Sequence, residues 1–190
     1  MTKAEFFGSH SCHKLADLLD THSTNQARKI LKTFSCAKNI DVQDFLHNKA
    51  ITFERNLRAC TYLYISNADK SVIAYLTLGI KALLTDGLSD ETIKFLDGYT
   101  SQMPSIPCYL IAQLGKNDSC KHKIGSFLLD DALGFIDKAQ GILKGRFVLI
   151  DAVNEDKVIE FYKENSFIAL ENDKTLKSIK MVKPYFEYIH

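Results

Sequence analysis

The 190-residue sequence has no apolar run near the ~20 residues a membrane-spanning helix requires, which excludes a helical membrane protein. Its first residues, MTKAEFFGSHSCH, lack the long apolar core of a secretion signal. There is no CxxC pair. Cys12, Cys36, Cys60, Cys108 and Cys120 stand far apart and their odd number cannot pair within one chain, as expected of free thiols in a reducing compartment. A cytoplasmic protein is the expectation. No excess of one charge exists either: the net charge is +1, residues 1–112 carry 12 Lys+Arg against 11 Asp+Glu, and residues 113–190 carry 12 against 12. Proteins that grip a long nucleic-acid backbone usually show a basic excess, so charge lends no support to such a partner. Only His10-Ser11-Cys12-His13 suggests a metal, and it lacks a second ligand pair at structural-zinc spacing. It reads as solvated residues at a helix start, and no metal is expected.

With no repeat or linker, 46% hydrophobic residues and 25% charged ones, the composition fits one well-filled domain over residues 1–190. The first third reads as helical. Leu15, Leu18 and Leu19, then Ile30, Leu31 and Phe34, recur at spacings of three and four. A stronger helix is expected after an Asp41 cap, with Val42, Phe45, Leu46, Ala50, Phe53 and Leu57 on one face. TYLYIS and SVIAYLTLGI, separated by the turn residues NADK, read as a β-hairpin. SDETIKFL is a short helix, and CYLIAQL (Cys108–Leu114) has the continuous apolarity of a strand covered on both faces. A helix from about Gly125 to Gly141, a strand RFVLIDA, a helix capped by Asn154 and a closing hairpin SFIAL/SIKMVKPYFEYI complete a mixed α/β domain on one sheet. Lys174, Lys177, Lys180 and Lys183 alternate between the faces of that hairpin and read as solubilising.

The stretch CKHKIGSFLLDDAL places two lysines and a histidine directly before a helix, where free backbone N–H groups and the positive end of the dipole favour anions. Taken alone, it is equally readable as an ordinary solvated helix start.

Three segments in order resemble the GNAT superfamily of acetyl-CoA-dependent N-acetyltransferases. They are the hairpin TYLYISNADKSVIAYLTLGI, the strand–loop–helix AQLGKNDSCKHKIGSFLLDDAL, and VLIDAVNEDKVIEFYKENSF. The earlier FSCAKNIDVQDFLHNKAITFERN resembles the N-terminal helix of the subgroup containing acetyltransferase toxins. The resemblance implies a GNAT-like α/β fold: a mostly antiparallel central sheet, splayed fourth and fifth strands and helices on both faces. Residues 34–190 would form the core, and residues 1–33 a helical extension.

The family's loop pattern, Gln/Arg-x-x-Gly-x-Gly/Ala, falls on Cys120 to Gly125. Gly125 matches; Cys120 and Lys123 replace the leading Gln/Arg and the first glycine. The resemblance assigns acetyl-CoA to Leu114, Gly115, Lys121, His122, Lys123, Ile124, Gly125, Ser126 and Asn154. Leu114 and Gly115 would meet the pantetheine arm, with glycine permitting close approach, and a backbone N–H near Leu114 would meet the oxyanion. Lys121 and Lys123 would add charge to the loop. Tyr162, in the position of the family's FY motif, is implied as the acid that protonates the departing thiolate. Ser166 stands where the family often has glycine. Glu54, Asp118 and Asp151 lie near relevant segments but read as capping or surface groups, so no general base is identified. The acceptor is a primary amine of open class; a tRNA acceptor rests on the subgroup resemblance alone, and a homodimer is compatible with it. A second class also stays open, a non-catalytic acyl-CoA-binding or interaction module with a degenerate loop.

Overall fold

The structure, a computed structural model, describes residues 2–170 and 175–186. Seven strands form one sheet in the order β1-β2-β3-β4-β5-β7-β6. They are β1 His10–Lys14, β2 Cys60–Ser66, β3 Val72–Leu84, β4 Ser105–Lys116, β5 Phe147–Val153, β6 Ile168–Ala169 and β7 Ser178–Pro184. The ladders β1–β2, β2–β3, β5–β7 and β6–β7 are antiparallel. The β4–β5 ladder is parallel and short, with Tyr109 opposite Val148 and Leu110 opposite Leu149. The α-helices are α1 Lys3–Ser9, α2 Leu15–Thr21, α3 Thr24–Leu31, α4 Ile40–Asp44, α5 Ala50–Arg55, α6 Asp90–Asp97, α7 Gly125–Gln140 and α8 Asp156–Glu164. The chain divides into two compact units, Met1–Gly79 with Ala112–Ile136 and Ile80–Ile111 with Asp137–His190.

In the first unit, the two-residue period of β2 sends alternate side chains to two helical layers. Leu63 and Ile65 join a core built with Leu15, Leu31, Leu46 and Ala50 from the helical region. Tyr62 and Tyr64 point the other way: Tyr62 stacks on Phe135 of α7 with centroids 4.1 Å apart, and the Tyr64 hydroxyl donates to Asp131 at 2.7 Å. The helix expected after Asp41 is instead capped by Asn39, whose Oδ1 accepts the Val42 N–H at 3.3 Å. It is also interrupted by a π-helical turn, Phe45–Lys49. The wide turn keeps Phe45 and Leu46 buried with Ala50 and Ile51, a spacing of five that a regular α-helix would splay apart. Leu57, assigned to that buried face, lies beyond the helix, has φ 54° and is 95% exposed.

Residues 10–14 correct the helical reading of residues 1–33. His10-Ser11-Cys12-His13 is an edge strand paired with Ser66 to Leu63, not a helix start. Among the described residues no group of three or more His, Cys, Asp or Glu is arranged to hold a metal, and no helix is long and apolar enough to cross a membrane.

In the second unit, α6 packs Ile93 and Leu96 on Leu83, Ile106, Cys108, Phe147, Leu149 and Val182 of the sheet. Its C-terminal carbonyls meet a cation, as the helix dipole favours: Arg146 Nε donates to the Leu96 carbonyl at 2.7 Å. Lys174 lies outside the described residues, whereas Lys183 donates to the Asn165 carbonyl at 2.9 Å.

The end of β4 is the most constrained part of the first unit. Gly115 is buried, and a Cβ there would meet Tyr75 Cε1 at 2.6 Å and Val42 Cγ1 at 2.7 Å. Tyr75 is itself fixed by donating to the Val42 carbonyl at 2.5 Å. Two residues on, Asn117 is 2% exposed and hydrogen-bonded on every side. The β2–β3 register slips between Tyr64 and Ile65, so Ile73 is the extra residue of a bulge. Asn117 uses what the bulge releases: its N–H donates to the Ile73 carbonyl at 2.8 Å, and Nδ2 donates to Val72 at 2.7 Å and Thr33 at 3.0 Å. Its Oδ1 accepts from the Ser35 hydroxyl at 3.1 Å and the Ser119 N–H at 3.0 Å.

Two substitutions test this. Gly115→Ala is expected to cost about 1–3 kcal/mol through overpacking against Tyr75 and Val42; a urea midpoint equal to that of the native chain would show that both side chains yield freely. Asn117→Ala leaves the Val72 and Thr33 carbonyls without a donor, and a loss of about 2–3 kcal/mol is expected in the same measurement.

Candidate active site

Beyond β4 the chain runs through residues 117–124 into α7. Asp118 N–H donates to the Ser35 carbonyl at 2.9 Å, Asp118 Oδ2 accepts the Ala37 N–H at 2.9 Å, and Cys120 N–H donates to the Asn117 carbonyl at 3.0 Å. Ile124 is fully buried, while Lys121, His122, Lys123 and Ser126 are exposed. The first intrahelical bond of α7 runs from Leu128 N–H to the Ile124 carbonyl at 3.1 Å, so the amides of Gly125, Ser126 and Phe127 have no intrahelical acceptor. Positive φ occurs at Leu57, Lys70, Ser166, Gly87 and Gly98 and at no residue of this loop. The backbone here is thus open to any L-residue, and a side chain at 123 carries no conformational cost.

The expected lysines play unequal parts. Lys121 Nζ donates to the Asp118 carbonyl at 3.1 Å, and Lys123 has no hydrogen bond or ion pair among the described residues. The lysine most engaged with the loop is one sequence reading missed. Lys116 Nζ donates to the carbonyls of Cys120 at 2.9 Å and His122 at 3.1 Å. A lysine closing a strand carries no sequence signal for this, because the contact depends on how the loop folds back. Leu114 and Gly115 sit on the last turns of β4 pleat, Leu114 half-buried. The bareness of Gly115 is used on one side by Tyr75 and Val42, a packing reason for glycine that operates whether or not a ligand approaches.

In the second unit, Tyr162 lies on α8, and the end of that helix fixes its ring. Phe167 N–H donates to the Tyr162 carbonyl at 3.0 Å and Ser166 N–H to the Lys163 carbonyl at 2.9 Å. This is the Schellman pattern, with Ser166 in the left-handed position at φ 66°. The apolar contact that accompanies the motif is Tyr162 against Phe167, edge to face with centroids 5.5 Å apart. Phe161 flanks the other side at 5.1 Å. The Tyr162 hydroxyl donates to no group among the described residues, and burial alone pushes its pKa up to about 12. It is a neutral, unengaged O–H at physiological pH.

Asn154 does not cap α8. The cap position is Glu155, with no side-chain bond, and Asn154 Nδ2 donates to the Leu176 carbonyl at 2.8 Å. The three carboxylates raised by the sequence are all engaged in holding structure. Glu54 accepts the Thr61 N–H at 2.8 Å, with burial raising its pKa; Asp118 holds Ala37; Asp151 pairs with Lys81 at 3.1 Å.

No protein-family model and no curated protein matches the sequence. Solved structures do. AtaT complexed with acetyl-methionyl-tRNAfMet superposes with TM-score 0.68 at 20% identity, covering 92% of this chain and 94% of that one. A tyrosine-to-phenylalanine mutant of KacT gives TM-score 0.71 at 16% identity, covering 93% and 95%. AtaTR bound with AcCoA gives 0.64 at 18%, covering 92% and 94%. At such identities the likeness speaks for the fold alone, and the chain has the GNAT fold in the form seen in AtaT and KacT.

Proposed function

We propose that the protein is an acetyl-CoA-dependent N-acetyltransferase that acylates a primary amine by direct attack, with Tyr162 as the acid. The observation that carries this reading is the state of Tyr162: held at the helix end, edge to face with Phe161 and Phe167, with a hydroxyl that bonds no protein group among the described residues. Tyr64 and Tyr75, both fully buried, spend their hydroxyls on Asp131 and the Val42 carbonyl, whereas the half-buried Tyr162 keeps its hydroxyl available.

Acetyl-CoA supplies an acyl group activated as a thioester, together with a diphosphate to be held. The donor set suits the diphosphate. The first-turn amides of α7 are free of intrahelical bonds, and residues 117–124 are fixed by Asn117 and Lys116. Leu114 and Gly115 supply strand backbone, and Lys121, His122, Lys123, Ile124, Gly125 and Ser126 supply the loop and helix start. Asn154 is assigned to the cofactor by the family resemblance alone. In the reaction the C–N bond forms as the C–S bond breaks. Tyr162 gives its proton to the sulfur and recovers one from the nitrogen, so the chain ends the cycle unchanged. No carboxylate is assigned as base; the amine enters neutral.

For the acceptor we infer the α-amino group of an aminoacyl-tRNA. AtaT has been captured with acetyl-methionyl-tRNAfMet, and the likeness to it spans 92% of this chain. The test is acetyl transfer from labelled acetyl-CoA to a panel of charged tRNAs, free amino acids and peptides. Label on the peptides or free amino acids alone would overturn the acceptor and keep the enzyme.

Tyr162→Phe is expected to lower kcat by about 10²–10⁴ while leaving acetyl-CoA affinity unchanged. An equal loss of affinity would make the phenol a binding group instead. The pH profile is a separate check. The acid must be protonated, and a pKa pushed up to about 12 keeps it so through the whole accessible range. The log of kcat/KM should therefore rise as the acceptor amine deprotonates and then stay level past about pH 10, where an ordinary tyrosine would produce a fall.

A further inference from the structure

Lys116 is the last residue of β4 and Asn117 follows it directly, and the two side chains have different partners. Asn117 ties the loop to the bulge at Val72–Ile73 and to Thr33. Lys116 reaches into the loop itself, donating to the Cys120 carbonyl at 2.9 Å and the His122 carbonyl at 3.1 Å. Across a trans peptide plane the carbonyl of one residue and the N–H of the next point in opposite directions. Drawing the Cys120 and His122 carbonyls to one ammonium therefore turns the Lys121 and Lys123 N–H groups away from it. Neither of those amides donates to a protein group among the described residues.

We propose that Lys116 is the positioning residue of the diphosphate loop: it gathers the loop carbonyls on the inner side so that the Lys121 and Lys123 amides are presented outward with the first-turn amides of α7. This rests on the acetyl-CoA reading above. It also accounts for a loop that works with Cys120 and Lys123 where the family pattern has Gln/Arg and glycine. Amide orientation, which glycines permit, is here imposed by a cation whose charge is balanced by backbone dipoles.

The experiment compares the full-length chain with Lys116→Met and Lys116→Gln by calorimetry, using acetyl-CoA and acetyl-pantetheine, which lacks the diphosphate. Lys116→Met should weaken acetyl-CoA about ten-fold or more and leave acetyl-pantetheine within about two-fold, with the thermal midpoint unchanged. Lys116→Gln, which keeps a donor without the charge, should fall between. If either folded variant binds acetyl-CoA like the native chain, or loses both ligands in equal proportion, the positioning role is wrong. A native chain that binds neither ligand overturns the acetyl-CoA reading, and Lys116's role with it.

Discussion

The first unit depends on one buried amide. Asn117 sits where three things must agree: the bulge in β3, the end of α3, and the start of the loop into α7. A buried primary amide is costly unless both its halves are satisfied. Here Nδ2 has two carbonyls and Oδ1 has a hydroxyl and an N–H, all within 3.1 Å. Few conformations of residues 33–35, 72–73 and 117–119 meet those demands together, so satisfying the amide fixes the loop. Gly115 adds a steric limit two residues earlier, because Tyr75 and Val42 leave no room for a Cβ. Between them the strand end has little freedom, which is what an anion site built from backbone amides needs, since amides cannot adjust as side chains can.

Much of this was legible in the sequence where the signal is periodic. The hairpin around NADK, the apolar strand CYLIAQL and the helix from Gly125 come from alternation, continuous apolarity and a wide helical face, and they stand as β2–β3, β4 and α7. What failed did so for identifiable reasons. Residues 10–14 carry no strand pattern, being polar and at a sheet edge, and become β1 only because β2 offers a partner. Asn39 outcompetes Asp41 as the cap because the choice depends on which side chain reaches the Val42 N–H. The π-helical turn and the exposure of Leu57 are consequences of packing that a window of helical spacing does not contain. The loop and Tyr162 are singled out by a pattern of residue types. Lys116 and Asn117 have no pattern at all, since their importance lies in partners 45 to 84 residues away or in a loop's return path.

Ser166 shows how a departure from a family pattern can leave the geometry intact. The left-handed position that ends α8 favours glycine, and a serine there carries a local cost of about 1 kcal/mol. The Schellman bonds and the Tyr162–Phe167 contact hold the turn nonetheless. Strain is thus stored one turn from Tyr162 and offset by the aromatic packing of the turn.

Lys123 follows the opposite logic. A residue that replaces a glycine matters only if the backbone needs what glycine provides, and residues 117–124 have no left-handed φ. The substitution is therefore silent in conformation and can act only through bulk or charge. Lys123 engages no group among the described residues, so its charge is free for a ligand, whereas Lys116 is committed to the loop. In the proposed site, two lysines close in sequence would divide the work an ordinary glycine-rich loop does in one step, the first shaping the amides and the second adding field. That division favours the reading of a working anion site over a decayed one. A decaying loop has no cause to keep its carbonyls drawn to a cation and its amides free.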